Sequence, residues 1–197
     1  MNLFEKAKGH ITTVLKHKHK VFINCLKAGI PIRGLLHDLS KFSPEELIPS
    51  IRYFQGNRSP NEAEREAEGA SRAWMHHKGR NKHHFEYWTD YDYKTKKMSP
   101  MPMPYLCIVE MFCDRVAASQ TYMKDAFTTD APYNYFALAK GRRVIEKETS
   151  DTLERMLIMY RDKGEKETFR NIRHSVYKYT IRQIMGKTAS IKKMIKA

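Results

Sequence analysis

Apolar residues of this chain recur at intervals of three and four positions, which is the spacing of one face of an α-helix. One such stretch runs from residue 3 to about residue 28, with Ile11, Val14, Leu15, Phe22, Cys25 and Leu26 as its apolar face. Gly29 and Pro31 then predict its end. Residues 105–119 (YLCIVEMFCDRVAAS) form a second, strongly apolar stretch after Pro104. The period-two alternation of a strand is not found, so we predict an all-α fold, a single-domain helical bundle.

Ser-Pro pairs mark further helix starts. Ser43-Pro44 is followed by Glu46, which completes a capping box, so we expect one helix to end near Lys41 and another to begin at Pro44. Ser59-Pro60 repeats the signal before a helix that we expect to reach about Lys78.

Two regions depart from this helical pattern. Residues 87–104 end in three closely spaced prolines, which predicts an ordered but irregular loop. The last residues are basic, with Lys192, Lys193 and Lys196 among them. We therefore divide the chain into a helical domain at 1–162 and a basic helical extension at 163–197, which packs on that domain or is partly frayed.

The composition restricts the partners of the chain. There are 36 Lys and Arg against 22 Asp and Glu, a net charge of +14, which favours anionic partners such as nucleotides or nucleic acid. No apolar run is long enough to cross a bilayer and the N-terminal residues lack a secretory pattern, so we predict a cytoplasmic protein without membrane contact. The three cysteines lack a CxxC pair and are expected to be buried thiols: Cys25, Cys107 and Cys113.

Acidic and histidine residues stand at unusual positions within these helices. Asp114 lies among apolar residues, where it needs a partner: Arg115, a lysine of another helix, or a metal ion. His37-Asp38 is flanked by leucines, which predicts a buried helical turn whose imidazole and carboxylate face one divalent ion. The flanking leucines are Leu35, Leu36 and Leu39.

Other histidines are candidate metal ligands. On the first helix, His19 falls at the flank of the apolar face, whereas His17 points away from it and is expected to be solvated. The segment WMHHKGRNKHHFEYW holds four histidines within nine residues, a density typical of a metal site or of a basic, aromatic phosphate-binding patch. These are His76, His77, His83 and His84.

The order of His19, His37-Asp38 and Asp114 on successive helices resembles the H…HD…D signature of the HD superfamily of metal-dependent phosphohydrolases. Residues 37–41 (HDLSK) are similar to the HDxGK motif of the HD-GYP subgroup, with Ser40 where glycine is usual. The GYP element is absent, so cyclic-di-GMP hydrolysis is not implied. A closer resemblance covers about residues 16–118 and is to a family of small uncharacterised bacterial and phage proteins. It rests on HDLSKF, H-x3-N-x-HH-x2-YW and EM-x2-D, at 37–42, 77–88 and 110–114.

The HD resemblance implies a bundle of HD-domain type with one or two divalent ions, Mn, Fe, Co, Ni or Zn. The first ion would be held by His19, His37, Asp38 and Asp114. The second would be bridged through Asp38 and held by His77 with His83 or His84. The implied reaction is hydrolysis of a nucleotide or other phosphate ester by a metal-activated water, which Asp38 would orient.

Several basic and aromatic residues near these ligands are candidate substrate contacts. Lys41 lies one helical turn beyond His37 and is expected to bind a phosphate oxygen or to stabilise the leaving group, the alternative being a solvated lysine. Arg80, Asn81 and Lys82 are further candidate phosphate contacts, and Trp88 is a candidate for stacking on a base.

Two other functions fit the same residues. An HD-type enzyme with two irons would use the same ligands and dioxygen to cleave an organic substrate. A non-catalytic helical protein would bind nucleic acid through its basic residues, including the C-terminal lysines.

Overall fold

The computed structural model describes residues 1–195, and side chains through residue 186. Helices predominate in this part of the chain, which confirms the all-α prediction apart from one small antiparallel hairpin. The α-helices are α1 (Leu3–Ala28), α2 (Pro31–Leu36), α3 (Pro44–Arg52), α4 (Pro60–Glu68), α5 (Arg72–Arg80), α6 (Tyr105–Met123), α7 (Ala131–Leu138) and α8 (Lys147–Ile195). The hairpin pairs β1 (Thr89–Asp92) with β2 (Lys97–Pro100). None of the described helices has the length and hydrophobicity that crossing a membrane requires.

Helix α1 is the central element and packs against α2, α3, α6 and α8. It ends at Gly29, whose left-handed φ of 85° suits a residue without a side chain. Its buried stripe mixes apolar with polar side chains at alternating intervals of four and three: His10, Val14, His17, Val21, Asn24 and Ala28. The apolar face predicted from the sequence is therefore partly wrong, because Ile11, Leu15 and Leu26 are exposed.

The core lies between α1, α6 and α8. Helix α6 buries most of its apolar residues there, and its cysteines are buried and free, as is Cys25. Helix α8 has a non-helical residue at Gly164, with φ 74° and ψ 178°, next to the predicted boundary at residue 163. Side chains on both sides of Gly164 enter the same core, Leu157 before it and Phe169 after it. The side chains of Lys192 and Lys193, and all of Lys196, lie outside the described residues.

Two predictions about the middle of the chain are wrong. The helix expected to run from Pro60 to about Lys78 is broken into α4 and α5 at Gly69, whose φ is 75°. The loop expected at 87–104 contains the β1–β2 hairpin. Each strand is only four residues long, too short for its alternation of side chains to stand out in the sequence.

The segment between α2 and α3 is also different from its prediction. Helix α2 ends at Leu36, and Asp38 adopts a left-handed backbone, φ 53° and ψ 32°, before a 3-10 turn at Leu39–Phe42. His37 and Asp38 are buried, as expected, at 2% and 3% exposure. The flanking leucines are not: Leu35, Leu36 and Leu39 face outward. The backbone reversal at Asp38 turns the polar pair inward and leaves the leucines outside.

Candidate metal centre

Four parts of the chain bring histidines and carboxylates together in one buried cluster. Helix α1 supplies His17, and the junction after α2 supplies His37 and Asp38. Helix α6 supplies Asp114. The end of α5 and the loop after it supply His77, His83 and His84. We call these seven residues the metal centre.

The first half of the metal centre surrounds Nε2 of His37. This atom lies 3.2 Å from Oδ2 of Asp38 and 3.7 Å from Oδ1 of Asp114. The same Asp114 oxygen is 3.0 Å from Nε2 of His17. Asp114 is thus partnered by imidazoles rather than by Arg115 or a lysine. His17, His37 and Asp114 present donor atoms to one small volume, and Asp38 approaches it beside His37.

The second half surrounds the other oxygen of Asp38. Oδ1 of Asp38 lies 3.3 Å from Nε2 of His77 and 3.3 Å from Nε2 of His83. Nε2 of His84 approaches Nε2 of His77 to 2.9 Å. Because its two oxygens face different sets of imidazoles, Asp38 connects the two halves.

The donor atoms fit a divalent transition metal. Nε2 of His37, Oδ1 of Asp38 and Nε2 of His83 are buried and have no hydrogen-bond partner. Buried polar atoms are rarely left unpaired in this way, and an ion bound between these side chains would give all three a partner. Imidazole nitrogen and carboxylate oxygen are ligands of Mn, Fe, Co, Ni and Zn.

Glu110, one helical turn before Asp114 on α6, supports two of the imidazoles. Its Oε1 lies 3.1 Å from Nδ1 of His37 and 3.3 Å from Nδ1 of His83. Its Oε2 accepts a hydrogen bond of 2.8 Å from Nε of Arg33. A carboxylate that accepts a hydrogen bond from Nδ1–H keeps the ring proton on Nδ1 and leaves Nε2 free to bind a metal.

Glu46 plays the same part on the other side. Its Oε2 is 2.7 Å from Nδ1 of His77, and its Oε1 is 2.7 Å from Nδ1 of His76. The predicted capping box is wrong, because the Ser43 side chain makes no capping hydrogen bond and Glu46 faces inward. Neither Glu46 nor Glu110 was identified as part of a site from the sequence. A signal was present for Glu110, which is an acidic residue on a helix face that also carries core residues.

The electrostatics of the metal centre favour a positive charge at its middle. Burial opposes protonation of His37, but Asp38, Glu110 and Asp114 overcome it and raise the pKa of His37 to about 10. Burial opposes ionisation of Asp38 too, yet His37 and Lys41 hold the pKa of that carboxyl well below its usual value. The carboxylates therefore stay ionised, and a bound metal ion would take the place of the imidazole proton.

A cavity of about 490 Å³ opens onto the metal centre. Lys41 lines it and places Nζ 2.5 Å from Oδ2 of Asp38, so this lysine is not simply solvated. Phe54 and Trp74 form apolar parts of the wall. The other basic side chains along it are Lys16, Arg58 and Lys124.

His19 is the predicted ligand that the structure does not bring to this site. It is exposed, whereas His17, expected to be solvated, is buried against Asp114. The error came from the position of the buried stripe on α1, which passes through His10 and His17 rather than through the exposed Ile11 and Leu15. Two residues further along a helix, His19 points about 160° away from His17.

The predicted substrate contacts other than Lys41 do not line this cavity. Arg80 and Lys82 are exposed, and Nε1 of Trp88 donates to the carbonyl of Lys82. Asn81 instead supports the metal centre, because its Nδ2 donates to Oγ of Ser40 and to the carbonyl of His77, both at 2.8 Å. Arg80 at the end of α5 and Lys82 just after it face solvent, and the hydrogen bond to Lys82 holds the Trp88 indole outside the cavity lining.

Comparison with known proteins identifies a family without assigning an activity. No curated protein and no solved structure matches the sequence. One family model does, a family of unknown function (DUF5662), over residues 6–159. This range includes all seven residues of the metal centre, together with Glu46 and Glu110, and agrees with the resemblance to a family of uncharacterised proteins. The chain therefore belongs to the DUF5662 family.

Proposed function

We propose that this protein is a metal-dependent phosphohydrolase that acts on a nucleotide or another phosphate ester. The observation that carries the proposal is the position of Asp38, whose two oxygens face Nε2 atoms of His37 on one side and of His77 and His83 on the other. A carboxylate so placed can bridge two ions or hold one.

The donor set supports this assignment. Asp38, Asp114 and the histidines offer nitrogen and oxygen ligands, which suit Mn, Fe, Co, Ni or Zn. When bound, such an ion lowers the pKa of a water molecule towards neutrality and reduces the negative charge on phosphoryl oxygens. The carboxylates of Glu46 and Glu110 orient the imidazoles for this role.

Side chains along the cavity provide the rest of the chemistry. Asp38 is buried and ionised, so it can accept a hydrogen bond from an attacking water. Lys41 is partly exposed to the cavity beside Asp38, and its ammonium group can pair with a phosphate oxygen. The charge of +14 over the whole chain attracts anionic substrates.

The likeness to the HD superfamily is part of this proposal, with one change of residue. The ligand order becomes His17, His37-Asp38 and Asp114, because His17 takes the place expected for His19. His77, His83 and His84 would then be ligands of the second ion.

A second candidate function uses the same donors. Seven candidate ligands in two adjacent groups are enough for two irons, and an HD-type di-iron enzyme would cleave an organic substrate with dioxygen. The third function, a basic nucleic-acid-binding protein, is less well supported. Such a protein does not need to bury His37, Asp38 and His83 with unpaired polar atoms.

The test is elemental analysis of the protein purified without added metal, beside Asp38→Asn and the exposed control Asp90→Asn. We expect one or two transition-metal ions per chain in the wild type and the control, and a loss of metal in Asp38→Asn. The loaded protein is then incubated with a panel of phosphomonoesters and nucleotides while phosphate release and oxygen consumption are recorded.

The results distinguish between the proposed functions. Phosphate release that disappears in Asp38→Asn supports the phosphohydrolase. Bound iron with oxygen consumption and no phosphate release favours the di-iron enzyme. If the wild type holds no metal even after reconstitution, both enzymatic functions are wrong.

A further inference from the structure

A second cavity adjoins the metal centre on the other side of Trp74 and His84. It has a volume of about 360 Å³, and these two side chains line both cavities. Its most unusual lining residues are two arginines, Arg115 on α6 and Arg143 in the segment before α8. Neither has a part in the metal centre.

Both arginines have buried polar atoms without a partner. Nε of Arg115 and Nη1 of Arg143 are buried and make no hydrogen bond. Within the part of the chain whose side chains are described, neither guanidinium forms an ion pair. Arg143 is held instead by the faces of Tyr135 and Phe136, with its Cζ 5.6 and 5.7 Å from the ring centroids.

The charges around this cavity are not balanced. Arg115 and Arg143 are close enough for their like charges to repel each other. Glu86 is a half-buried acid on the wall of the same cavity, and its Oε2 is buried and also lacks a partner. Asp114 is engaged by His17, while Glu62 and Arg65 are exposed and opposite in charge. Two guanidinium groups thus face one free carboxylate.

Unpaired guanidinium groups that share a cavity are suited to an oxyanion. The planar N–H donors of arginine match the oxygens of phosphate, and the pair carries the charge that a phosphate group neutralises. We propose that Arg115 and Arg143 form a phosphate-binding site beside the metal centre. The phosphate is either inorganic phosphate or the phosphate group of a larger ligand. The site does not depend on the proposed hydrolase activity.

Isothermal titration of the full-length, metal-loaded protein with inorganic phosphate tests this site. Arg143→Gln removes one guanidinium, Arg115→Lys keeps the charge but removes the planar donors, and the control Arg142→Gln changes the same charge at an exposed neighbour. We expect Arg143→Gln and Arg115→Lys to weaken phosphate binding roughly 10- to 100-fold, the loss of one or two charge-assisted hydrogen bonds. Arg142→Gln should bind like the wild type.

Metal content and circular dichroism are recorded for every variant, so that a loss of metal or of fold is not mistaken for a loss of the site. A phosphate affinity that is the same in all four proteins would place the anion on the metal centre alone and overturn the proposal. So would the absence of phosphate binding in the wild type. A second titration with phenylphosphonate, which is not hydrolysed, separates the two sources. If phenylphosphonate also binds and its binding depends on Arg143, the site accepts the phosphate group of a larger ligand. If only inorganic phosphate binds, the site is specific for the free ion.

Discussion

Oε1 of Glu110 on α6 lies 3.1 Å from Nδ1 of His37, although the two residues are 73 positions apart in the sequence. The same oxygen is 3.3 Å from Nδ1 of His83, and Arg33 binds the other oxygen. Burial opposes ionisation of Glu110, but the hydrogen bonds from His37 and His83 lower its pKa to about 2. One ionised carboxylate therefore fixes the ring orientation of a histidine in each half of the metal centre.

Replacing this carboxylate should weaken metal binding without removing a ligand. We expect Glu110→Gln to lower the affinity for the metal by about 10- to 100-fold, the effect typical of partners behind metal ligands. The affinity is measured by competition with a chelator. Glu165→Gln, the same change in a partly exposed residue of α8 that pairs with Lys27, serves as the control and should have no effect. Equal affinities in the two variants would contradict the role of Glu110.

His17 and His19 provide a comparison within one helix. His17 contacts Asp114, whereas His19 is exposed two residues away. We expect His17→Ala to lower the affinity for at least one metal ion by more than about 100-fold, because a ligand itself is removed. His19→Ala should retain the metal content of the wild type. Elemental analysis of both variants distinguishes them, and loss of metal in His19→Ala would restore the assignment made from the sequence.

The residue types of the metal centre were predictable, but its geometry was predictable only in part. His37, Asp38 and Asp114 were selected because they lie among apolar residues, and His77, His83 and His84 because four histidines fall within nine residues. The structure brings these six together. His17 was missed because half of the residues on the buried stripe of α1 are polar. A search for apolar residues therefore located the wrong face of the helix. Glu46 and Glu110 were missed because a supporting carboxylate has no spacing rule relative to the histidines it holds.

The elements of the fold were likewise predictable where they depend on local sequence and not where they depend on tertiary contacts. The extents of α1 and α6 were predicted closely. Gly29 follows the last residue of α1, Pro104 precedes the first residue of α6, and apolar residues recur at helical intervals in both. The left-handed backbone of Asp38 was not predicted, because Asp has only a weak preference for that conformation. It is stabilised here by tertiary contacts with His77 and His83, which lie outside any local window.

Gly34 sets how closely α2 approaches α1, and so where His37 and Asp38 lie. A Cβ at this position would meet Cβ of Cys25 at 2.6 Å and Cα of Phe22 at 3.1 Å. We expect Gly34→Ala to lower the free energy of unfolding by about 1–3 kcal/mol through overpacking, and to reduce metal content because the junction after α2 must shift. Denaturant unfolding and elemental analysis measure the two effects.

The matched change is Gly79→Ala in α5, where a Cβ meets nothing within 4 Å. It should raise the free energy of unfolding by about 0.5–1 kcal/mol, because alanine loses less backbone entropy than glycine in a helix. If Gly34→Ala were as stable as Gly79→Ala and kept its metal, close packing of α2 on α1 would not be what positions the metal centre.

His10 makes the stability of the fold depend on pH independently of the metal ligands. It is buried on α1 with its ring centroid 5.8 Å from that of Phe54, and burial, aided by the charge of Lys41, lowers its pKa from 6.5 to about 4. The unfolded chain therefore binds more protons than the folded one between these values, so stability falls as pH drops from 6.5 towards 4. His10→Gln should remove about 1–2 kcal/mol of the loss between pH 7 and pH 5, measured by urea unfolding at both values. His174→Gln, an exposed histidine on α8, should lose as much as the wild type, and an equal loss in His10→Gln would show that His10 is not buried in its neutral form.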